Sequence, residues 1–318
     1  MKVLFADKIE KECEDILEKN GFTVDTKAGL SEDEYASIIK DYDVMVVRSA
    51  PKVTKKIIDN GANLKIIGRA GVGVDNIDKQ AAKEKGIAVM NAPTGNTNAA
   101  AEHTLTMLMM LAKHVIHSHL KLKKGEWDRK SFEGIELKGK TLGIIGLGNV
   151  GKKVAKVANA LEMEVLCFDP FVDAGKMKEI GAKKAELDEI IKDSDFITVH
   201  VPLTDKTRNM LSDKEFAQMK DRVRIINVAR GGVIDEAALE KAIDNGKVAA
   251  AALDVYGQEP PVCKSLIAKE QVICTPHLGA STAEAQIGVA IEIAECIVDA
   301  LKNNKLRNIV NGVEKLKA

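Results

Sequence analysis

A glycine-rich turn near the middle of the chain has the residue types and spacing that suit a dinucleotide. Gly146, Gly148 and Gly151 stand in the pattern G-x-G-x-x-G. An apolar run of strand type, residues 140–145, precedes the turn, and apolar residues at helical spacing follow it. Such a strand–turn–helix aims backbone N–H groups and the positive end of the helix dipole at a pyrophosphate. The pattern therefore predicts a dinucleotide site. Gly146 permits the tight turn, Gly148 lets the backbone approach the pyrophosphate, and Gly151 allows the helix to pack closely on the strand.

An acidic residue at the end of the next strand predicts which dinucleotide binds. Residues 164–168 form a second apolar run that ends at Asp169. A carboxylate at this position accepts hydrogen bonds from a ribose diol and repels a 2′-phosphate. No arginine follows in residues 170–173 to receive such a phosphate. We therefore expect NAD rather than NADP.

Composition bounds the classes of function. The 318 residues carry 47 basic and 47 acidic side chains, so the formal net charge is zero. That balance argues against nucleic acid or an anionic membrane surface as a partner. The N-terminus turns charged within seven residues, and no apolar run reaches membrane-spanning length. The five cysteines form no C-x-x-C pair, which favours free thiols in the cytoplasm: Cys13, Cys167, Cys263, Cys274 and Cys296.

Short apolar runs alternate with helical patterns in both halves of the chain. This rhythm predicts an α/β protein of two doubly wound parallel sheets, and the glycine turn makes the second of them a Rossmann NAD-binding domain. The last helical pattern, residues 283–303, is expected to return to the first domain. The predicted boundaries are 1–95 plus 285–318 for the first domain and 96–284 for the dinucleotide-binding domain. Residues 98–123 are predicted to form one long helix, too apolar to lie in solvent.

Polar residues follow four apolar runs in the second half of the chain. They are His200, Arg230, Asp254 and His277. Ligands of open α/β sheets bind outside the carboxyl ends of the strands, so these side chains are candidates for a shared site. One such residue could be a helix cap or a loop residue, but several together are hard to explain by solvation.

Longer strings around these residues resemble a known family. INVARGGVIDEAAL, AALDVYGQEPP and TPHLGAST are similar to the signature blocks of the D-2-hydroxyacid dehydrogenases. RSAPKVT, GRAGVGVDNID and NAPTGNTNAAAEHT resemble the branch of that family that acts on D-3-phosphoglycerate. The resemblance covers essentially the whole chain in the same order, and is far more specific than the glycine pattern. It implies that the first domain, residues 1–95 plus 285–318, is a smaller flavodoxin-like substrate-binding domain.

The resemblance implies a catalytic set of Arg230, Glu259 and His277. An imidazole can take the hydroxyl proton as hydride leaves a secondary alcohol. A carboxylate can orient that imidazole and favour its protonated form, and a guanidinium can clamp the substrate carboxylate.

The other histidines are not expected to be catalytic. His114, His117 and His119 look like a metal cluster, but two of them diverge on a helix and no metal is expected; His103 and His200 are expected to be packing or strand-end residues.

The resemblance also implies binding residues. Cofactor contacts are expected from Val72, Gly146, Gly148, Asn149, Val150, Gly151, Asp169, Val201, Ala229, Asp254, Gly279 and Ala280. Substrate contacts are expected from Arg48 and Arg69 to a phosphate, from Gly71, Val72 and Gly73 to a carboxylate, and from Arg230 and His277. Whether Arg129 or Lys130 reach a partner subunit's site is left open.

The implied activity is the NAD-dependent oxidation of D-3-phosphoglycerate to 3-phosphohydroxypyruvate, or its reverse, as the first step of phosphorylated serine biosynthesis. A glyoxylate or hydroxypyruvate reductase, or an NADH-sensing corepressor-like protein, are the alternatives. The expected assembly is a homodimer, with a tetramer left open. The chain ends soon after its last helix, so the appended serine-sensing domains of longer members are not expected.

Overall fold

The computed structural model describes residues 1–317, which form two units. One unit combines both ends of the sequence, residues 1–97 with 281–317, and the other comprises residues 98–280. The strands are β1 (Lys2–Phe5), β2 (Thr23–Thr26), β3 (Val44–Val47), β4 (Ile66–Arg69), β5 (Ala88–Asn91), β6 (Thr141–Ile145), β7 (Glu164–Phe168), β8 (Lys183–Lys184), β9 (Phe196–Val199), β10 (Val223–Asn227), β11 (Val248–Leu253) and β12 (Val272–Cys274).

The helices alternate with these strands. They are α1 (Lys11–Lys19), α2 (Glu32–Ile38), α3 (Lys55–Asn60), α4 (Lys79–Glu84), α5 (Thr97–Lys113), α6 (Val115–Lys123), α7 (Asn149–Ala160), α8 (Ala174–Glu179), α9 (Leu187–Asp193), α10 (Asp213–Gln218), α11 (Glu236–Asp244), α12 (Lys264–Ile267) and α13 (Ala283–Lys302). A short 3-10 turn, Ile39–Asp41, follows α2.

The first unit is a five-stranded parallel sheet in the order β2-β1-β3-β4-β5. Its middle strand is buried on both faces, because Val44 and Val46 face one apolar cluster while Met45 and Val47 face the other. Helices α1 and α13 cover the first face, and α2, α3 and α4 cover the second. The last helix of the chain therefore completes the core that the first strands begin.

The second unit is a seven-stranded parallel sheet in the order β12-β11-β10-β9-β6-β7-β8. Helices α5, α7 and α8 pack on one face, and α9, α10, α11 and α12 on the other. The direction of winding reverses between β6 and β9, the kind of switch point where such sheets bind ligands. The edge strand β8 was missed by the sequence analysis, because two exposed lysines show no apolar run.

The predicted single helix over residues 98–123 is wrong in one respect. The helix is interrupted at His114, which adopts a left-handed conformation with φ of 51°, so α5 and α6 are separate helices. The N–H of Ile135 donates to the carbonyl oxygen of Ala112 at 2.9 Å. A residue distant in sequence thus satisfies a carbonyl in the last turn of α5, and α6 starts anew.

No helix within residues 1–317 is long and apolar enough to cross a membrane.

Candidate active site

The glycine turn links β6 to α7 in the second unit, and each glycine has its own physical reason. Gly146 has φ of 97°, and a Cβ there would lie 2.7 Å from the carbonyl oxygen of His200. A Cβ on Gly151 would collide with the carbonyl oxygen of Gly146. A Cβ on Gly148 would meet nothing within 4 Å, so the space in front of this residue is open. The turn thus leaves room beside the N-terminus of α7 for a phosphate group.

The carboxylate of Asp169 lies against this turn. Its Oδ2 accepts a hydrogen bond of 2.8 Å from the N–H of Leu147, and its Oδ1 accepts one of 2.9 Å from the N–H of Phe171. Each oxygen keeps a second lone pair, so the fixed carboxylate can still accept bonds from a ribose. Asn149 and Val150 open α7 directly after the turn, and Val201 follows β9, beside Gly146. These residues fit the adenosine and pyrophosphate part of NAD.

Three strands that are neighbours in the sheet carry the predicted catalytic residues at their carboxyl ends. Arg230 follows β10, Glu259 lies in the loop after β11, and His277 follows β12. Nδ1 of His277 lies 2.8 Å from Oε2 of Glu259. The structure therefore brings together an imidazole and a carboxylate that are 18 residues apart, and their side chains are 50% and 39% exposed. This contact orients the ring and leaves Nε2 as its second proton-transfer atom.

The loop of Glu259 is held at several points. The other oxygen of its carboxylate, Oε1, accepts the N–H of Tyr256 at 3.2 Å. The N–H of Gly257 donates to Oε1 of Glu236 at 2.6 Å. A Cβ on Gly231 would overlap the carbonyl oxygen of Tyr256, so the loop that follows Arg230 lies directly on the loop of Glu259. Backbone contact between the two loops thus sets the spacing of the guanidinium and the carboxylate.

Arg230 itself is tied to the end of β10. Its Nη1 donates to the carbonyl oxygen of Ala229 at 2.6 Å, and its own carbonyl oxygen accepts from Nδ2 of Asn227 at 2.9 Å. The side-chain oxygen of Asn227 accepts the N–H of Ala229 at 3.0 Å. One buried asparagine therefore organises the turn that presents the guanidinium.

Asp254, at the end of β11, is completely buried. Its Oδ1 accepts hydrogen bonds of 2.6 Å from Oγ1 of Thr275 and from the N–H of Leu278, and its Oδ2 accepts one of 2.8 Å from the N–H of Gly279. Burial by itself raises the pKa of Asp254, but these donors, together with His103, stabilise the anion and hold the pKa below its ordinary value. Asp254 is therefore an ionised anchor for the turn that contains Gly279 and Ala280.

The predicted substrate residues of the first unit lie at the carboxyl ends of β3 and β4. Nη1 of Arg48 lies 3.5 Å from the carbonyl oxygen of Lys8 and 3.7 Å from Oε1 of Glu10. The guanidinium of Arg69 donates to the carbonyl oxygen of Ala70 and lies over Gly71. Both arginines thus lie at the edge of the first sheet that is formed by the carboxyl ends of its strands.

The segment of Gly71, Val72 and Gly73 is anchored to the end of β5. Nδ2 of Asn91 donates to the carbonyl oxygen of Val72 at 2.7 Å, and the N–H of Ala92 donates to that of Gly71 at 3.0 Å. Gly71 has φ of 148°, which side chains rarely adopt. The anchored carbonyl groups fix the direction of this short loop.

The remaining histidines divide into three cases. Nε2 of His200 lies 3.1 Å from Oγ1 of Thr198, and desolvation lowers the pKa of His200 to about 4, so this ring is neutral at physiological pH. Within the described part of the chain, no group of three or more potential ligands could hold a metal ion, and the segment of His114, His117 and His119 forms none. His103, which the sequence analysis regarded as a packing residue, contacts both Asp254 and Thr275. The sequence carries no signal for this contact, because 172 residues separate His103 from Thr275.

Residues 105–279 match the family model described as D-isomer specific 2-hydroxyacid dehydrogenase, NAD binding domain. The chain therefore belongs to the D-isomer specific 2-hydroxyacid dehydrogenase family, and its second unit contains an NAD-binding domain. The family, the fold class and the NAD cofactor that the sequence predicted are confirmed.

Relatives and solved structures extend this comparison. A D-3-phosphoglycerate dehydrogenase of Archaeoglobus fulgidus is 50% identical over 98% of this chain, a match that covers 59% of that protein. The chain thus spans about three-fifths of the length of this curated relative. The crystal structure of NAD⁺-bound 3-phosphoglycerate dehydrogenase of Entamoeba histolytica superposes with a TM-score of 0.83 at 30% identity and covers 98% of both chains. A glyoxylate reductase from Paecilomyes thermophila superposes with a TM-score of 0.90 at 29% identity, again over 98% of both chains.

Proposed function

We propose that this chain catalyses the NAD-dependent oxidation of D-3-phosphoglycerate to 3-phosphohydroxypyruvate, or the reverse reduction. The observation that carries the proposal is the 2.8 Å contact between His277 and Glu259 in an NAD-binding domain. These two residues follow β12 and β11, and β11 pairs with β10, the strand that presents Arg230. The 50% identical D-3-phosphoglycerate dehydrogenase supports the choice of substrate. A steady-state assay with NAD(H) and a panel of 2-hydroxy and 2-oxo acids tests it, and the phosphorylated acid should give the highest kcat/KM.

The proposed chemistry uses three side chains. Nε2 of His277 takes the proton of the substrate hydroxyl as a hydride leaves the carbon that bears this hydroxyl. NAD, when bound, supplies the hydride acceptor. Glu259 stabilises the imidazolium that forms, because its carboxylate already contacts Nδ1. Arg230 offers a planar pair of donors to the substrate carboxylate. In the reverse direction, the same His277 returns the proton to the carbonyl oxygen.

Arg48 and Arg69 are proposed to bind the substrate phosphate, and the segment of Gly71, Val72 and Gly73 to bind its carboxylate through backbone N–H groups. Two features support this assignment. Both arginines lie at carboxyl ends of parallel strands, where α/β sheets bind ligands, and a guanidinium matches the geometry of a phosphate. The ion pair of Arg48 with Glu10 is long at 3.7 Å, so a phosphate dianion can compete for this guanidinium.

Replacing Arg48 or Arg69 by alanine should raise KM for 3-phosphohydroxypyruvate by about ten- to a hundredfold, the effect of losing a charge-assisted hydrogen bond of about 1.5–3 kcal/mol. Turnover of a non-phosphorylated 2-oxo acid should change little. Lys40→Ala, which removes an exposed cation from the turn that precedes β3, is the matched control and should leave both substrates unaffected. Equal losses on both substrates would assign these arginines to carboxylate binding or to structure.

Cofactor preference should follow Asp169. The native protein should prefer NAD to NADP in kcat/KM by at least about tenfold, or ~1.4 kcal/mol. Asp169→Ala should narrow that gap mainly by weakening NAD, since the alanine loses the bonds to the ribose. Steady-state kinetics with both cofactors measure the preference, and equal use of the two by the native protein would contradict the role of this carboxylate.

A glyoxylate or hydroxypyruvate reductase is the second candidate. The close superposition with a glyoxylate reductase favours it. The two functions differ in the role of the substrate phosphate, so the ratio of kcat/KM for 3-phosphohydroxypyruvate and hydroxypyruvate distinguishes them.

We further infer a homodimer in the cytoplasm that acts in serine biosynthesis. Several large apolar side chains are exposed along the second unit, and contact with a second copy would remove them from water. They are Met109, Val115, Leu120, Leu122 and Trp127. The 50% identical relative supports the pathway, and light scattering of the purified chain measures the assembly.

A further inference from the structure

We propose that His103 is a positioning residue for the hydride-transfer site, acting through Asp254 and Thr275 on the turn that carries His277. The inference rests on the proposed function, because it assigns His277 the proton-transfer role. It concerns a side chain of α5 that neither the glycine turn nor the catalytic set includes.

His103, Thr275 and Asp254 form a closed group of contacts. Nε2 of His103 lies 3.1 Å from Oγ1 of Thr275 and 3.3 Å from Oδ1 of Asp254. The hydroxyl of Thr275 donates to the same Oδ1 at 2.6 Å. Because that proton is directed at Asp254, Oγ1 offers only lone pairs to His103. The network therefore assigns a proton to Nε2, which is shared between the hydroxyl and the carboxylate.

Asp254 accepts hydrogen bonds from the main chain of three consecutive residues, 277–279, which form the turn that carries the catalytic imidazole. Its main-chain carbonyl oxygen accepts the N–H of His277 at 2.9 Å, and its carboxylate accepts the N–H groups of Leu278 and Gly279 at 2.6 and 2.8 Å. These bonds hold His277 at φ of 55°, a left-handed conformation that residues other than glycine adopt only when the surrounding structure holds them there. The catalytic imidazole is thus fixed twice, through its ring by Glu259 and through its backbone by Asp254.

His103 completes the set of hydrogen-bond donors that hold the carboxylate of Asp254 in place. The side chain of Asp254 is only 1% exposed, and a buried carboxylate requires hydrogen bonds to each oxygen to remain ionised in place. Oδ1 receives bonds from Thr275 and Leu278, and His103 is its third donor. Without that donor, Thr275 and the carboxylate can rotate, and the N–H groups beside His277 lose their fixed acceptor. Other ionisable groups near this turn are Glu259, Tyr256 and Cys274.

The test compares His103→Ala with His103→Gln, in which the terminal amide replaces the N–H at Nε2. Thr275→Val removes the hydroxyl alone, and Thr106→Val, an exposed position on the same helix, is the control. The first readout is the ring resonance of His277 in the NMR spectrum, assigned by its loss in His277→Gln. The second readout compares the change in kcat with the change in the dissociation constant of NADH.

His103→Ala and Thr275→Val should both shift the His277 resonance, and His103→Ala should lower kcat by about ten- to a hundredfold, as expected for a misplaced catalytic group. The dissociation constant of NADH should change less than kcat, and His103→Gln should recover most of both kcat and the native resonance. An unchanged resonance in His103→Ala, or a glutamine variant as impaired as the alanine variant, would overturn the proposal. If the native protein turned over no 2-hydroxy or 2-oxo acid, the proposed function would fail, and the resonance would still decide the role of His103.

Discussion

His277→Gln is expected to lower kcat by about 10²–10⁴, the usual contribution of one positioned proton-transfer group. Glutamine can keep a hydrogen bond to Glu259 but cannot accept and return a proton at neutral pH. Binding of NADH should survive, because the glycine turn and Asp169 lie at the ends of β6 and β7, away from β12 in the sheet. Stopped-flow or steady-state kinetics measure kcat, and fluorescence titration measures NADH binding.

The matched control is His119→Gln, which makes the same chemical change at an exposed position of α6. It should turn over like the native protein. Near-native turnover in His277→Gln would remove this imidazole from the mechanism. A loss of NADH binding equal to the loss of kcat would instead indicate that the substitution damages the domain.

Gly231→Ala is expected to be the most damaging substitution that adds a single methyl group. The new Cβ would overlap the carbonyl oxygen of Tyr256, so one of the two loops must move. Overpacking of this kind costs about 1–3 kcal/mol of stability. The larger effect should be on catalysis, because the loops carry Arg230 and Glu259, and a displacement of ~1 Å can lower the rate by about a hundredfold.

Gly257→Ala is the control for this prediction. It adds the same methyl group to the neighbouring loop, where the nearest atom, an oxygen of Glu236, would lie at an ordinary 3.5 Å. Thermal melting and kcat/KM of the two variants should differ sharply, with Gly231→Ala much the weaker enzyme. Equal kinetics in both would mean that the contact between the loops does not set the spacing of Arg230 and Glu259.

Much of the fold could be predicted from local patterns. Val44–Val47 is an uninterrupted apolar run, which is typical of a strand buried on both faces of a parallel sheet, and β3 forms there. The spacing of Gly146, Gly148 and Gly151 predicted a turn between strand and helix, and β6 and α7 lie on either side of it. Patterns of this kind can be recognised in the sequence because the physical requirement, burial or a positive φ, acts on residues that are close together in the chain.

The sequence by itself thus determined the α/β class and the dinucleotide turn, and its resemblance to a family predicted the catalytic set of Arg230, Glu259 and His277. Only the tertiary structure decided the break at His114, the overlap that forbids a side chain at Gly231, and the contacts of His103 with Asp254 and Thr275. Each of these depends on a partner far away in the chain: Ile135, Tyr256 and Thr275, respectively. Packing between distant segments leaves no periodicity or spacing in the sequence, because its cause is the position of atoms that meet only after the chain has folded.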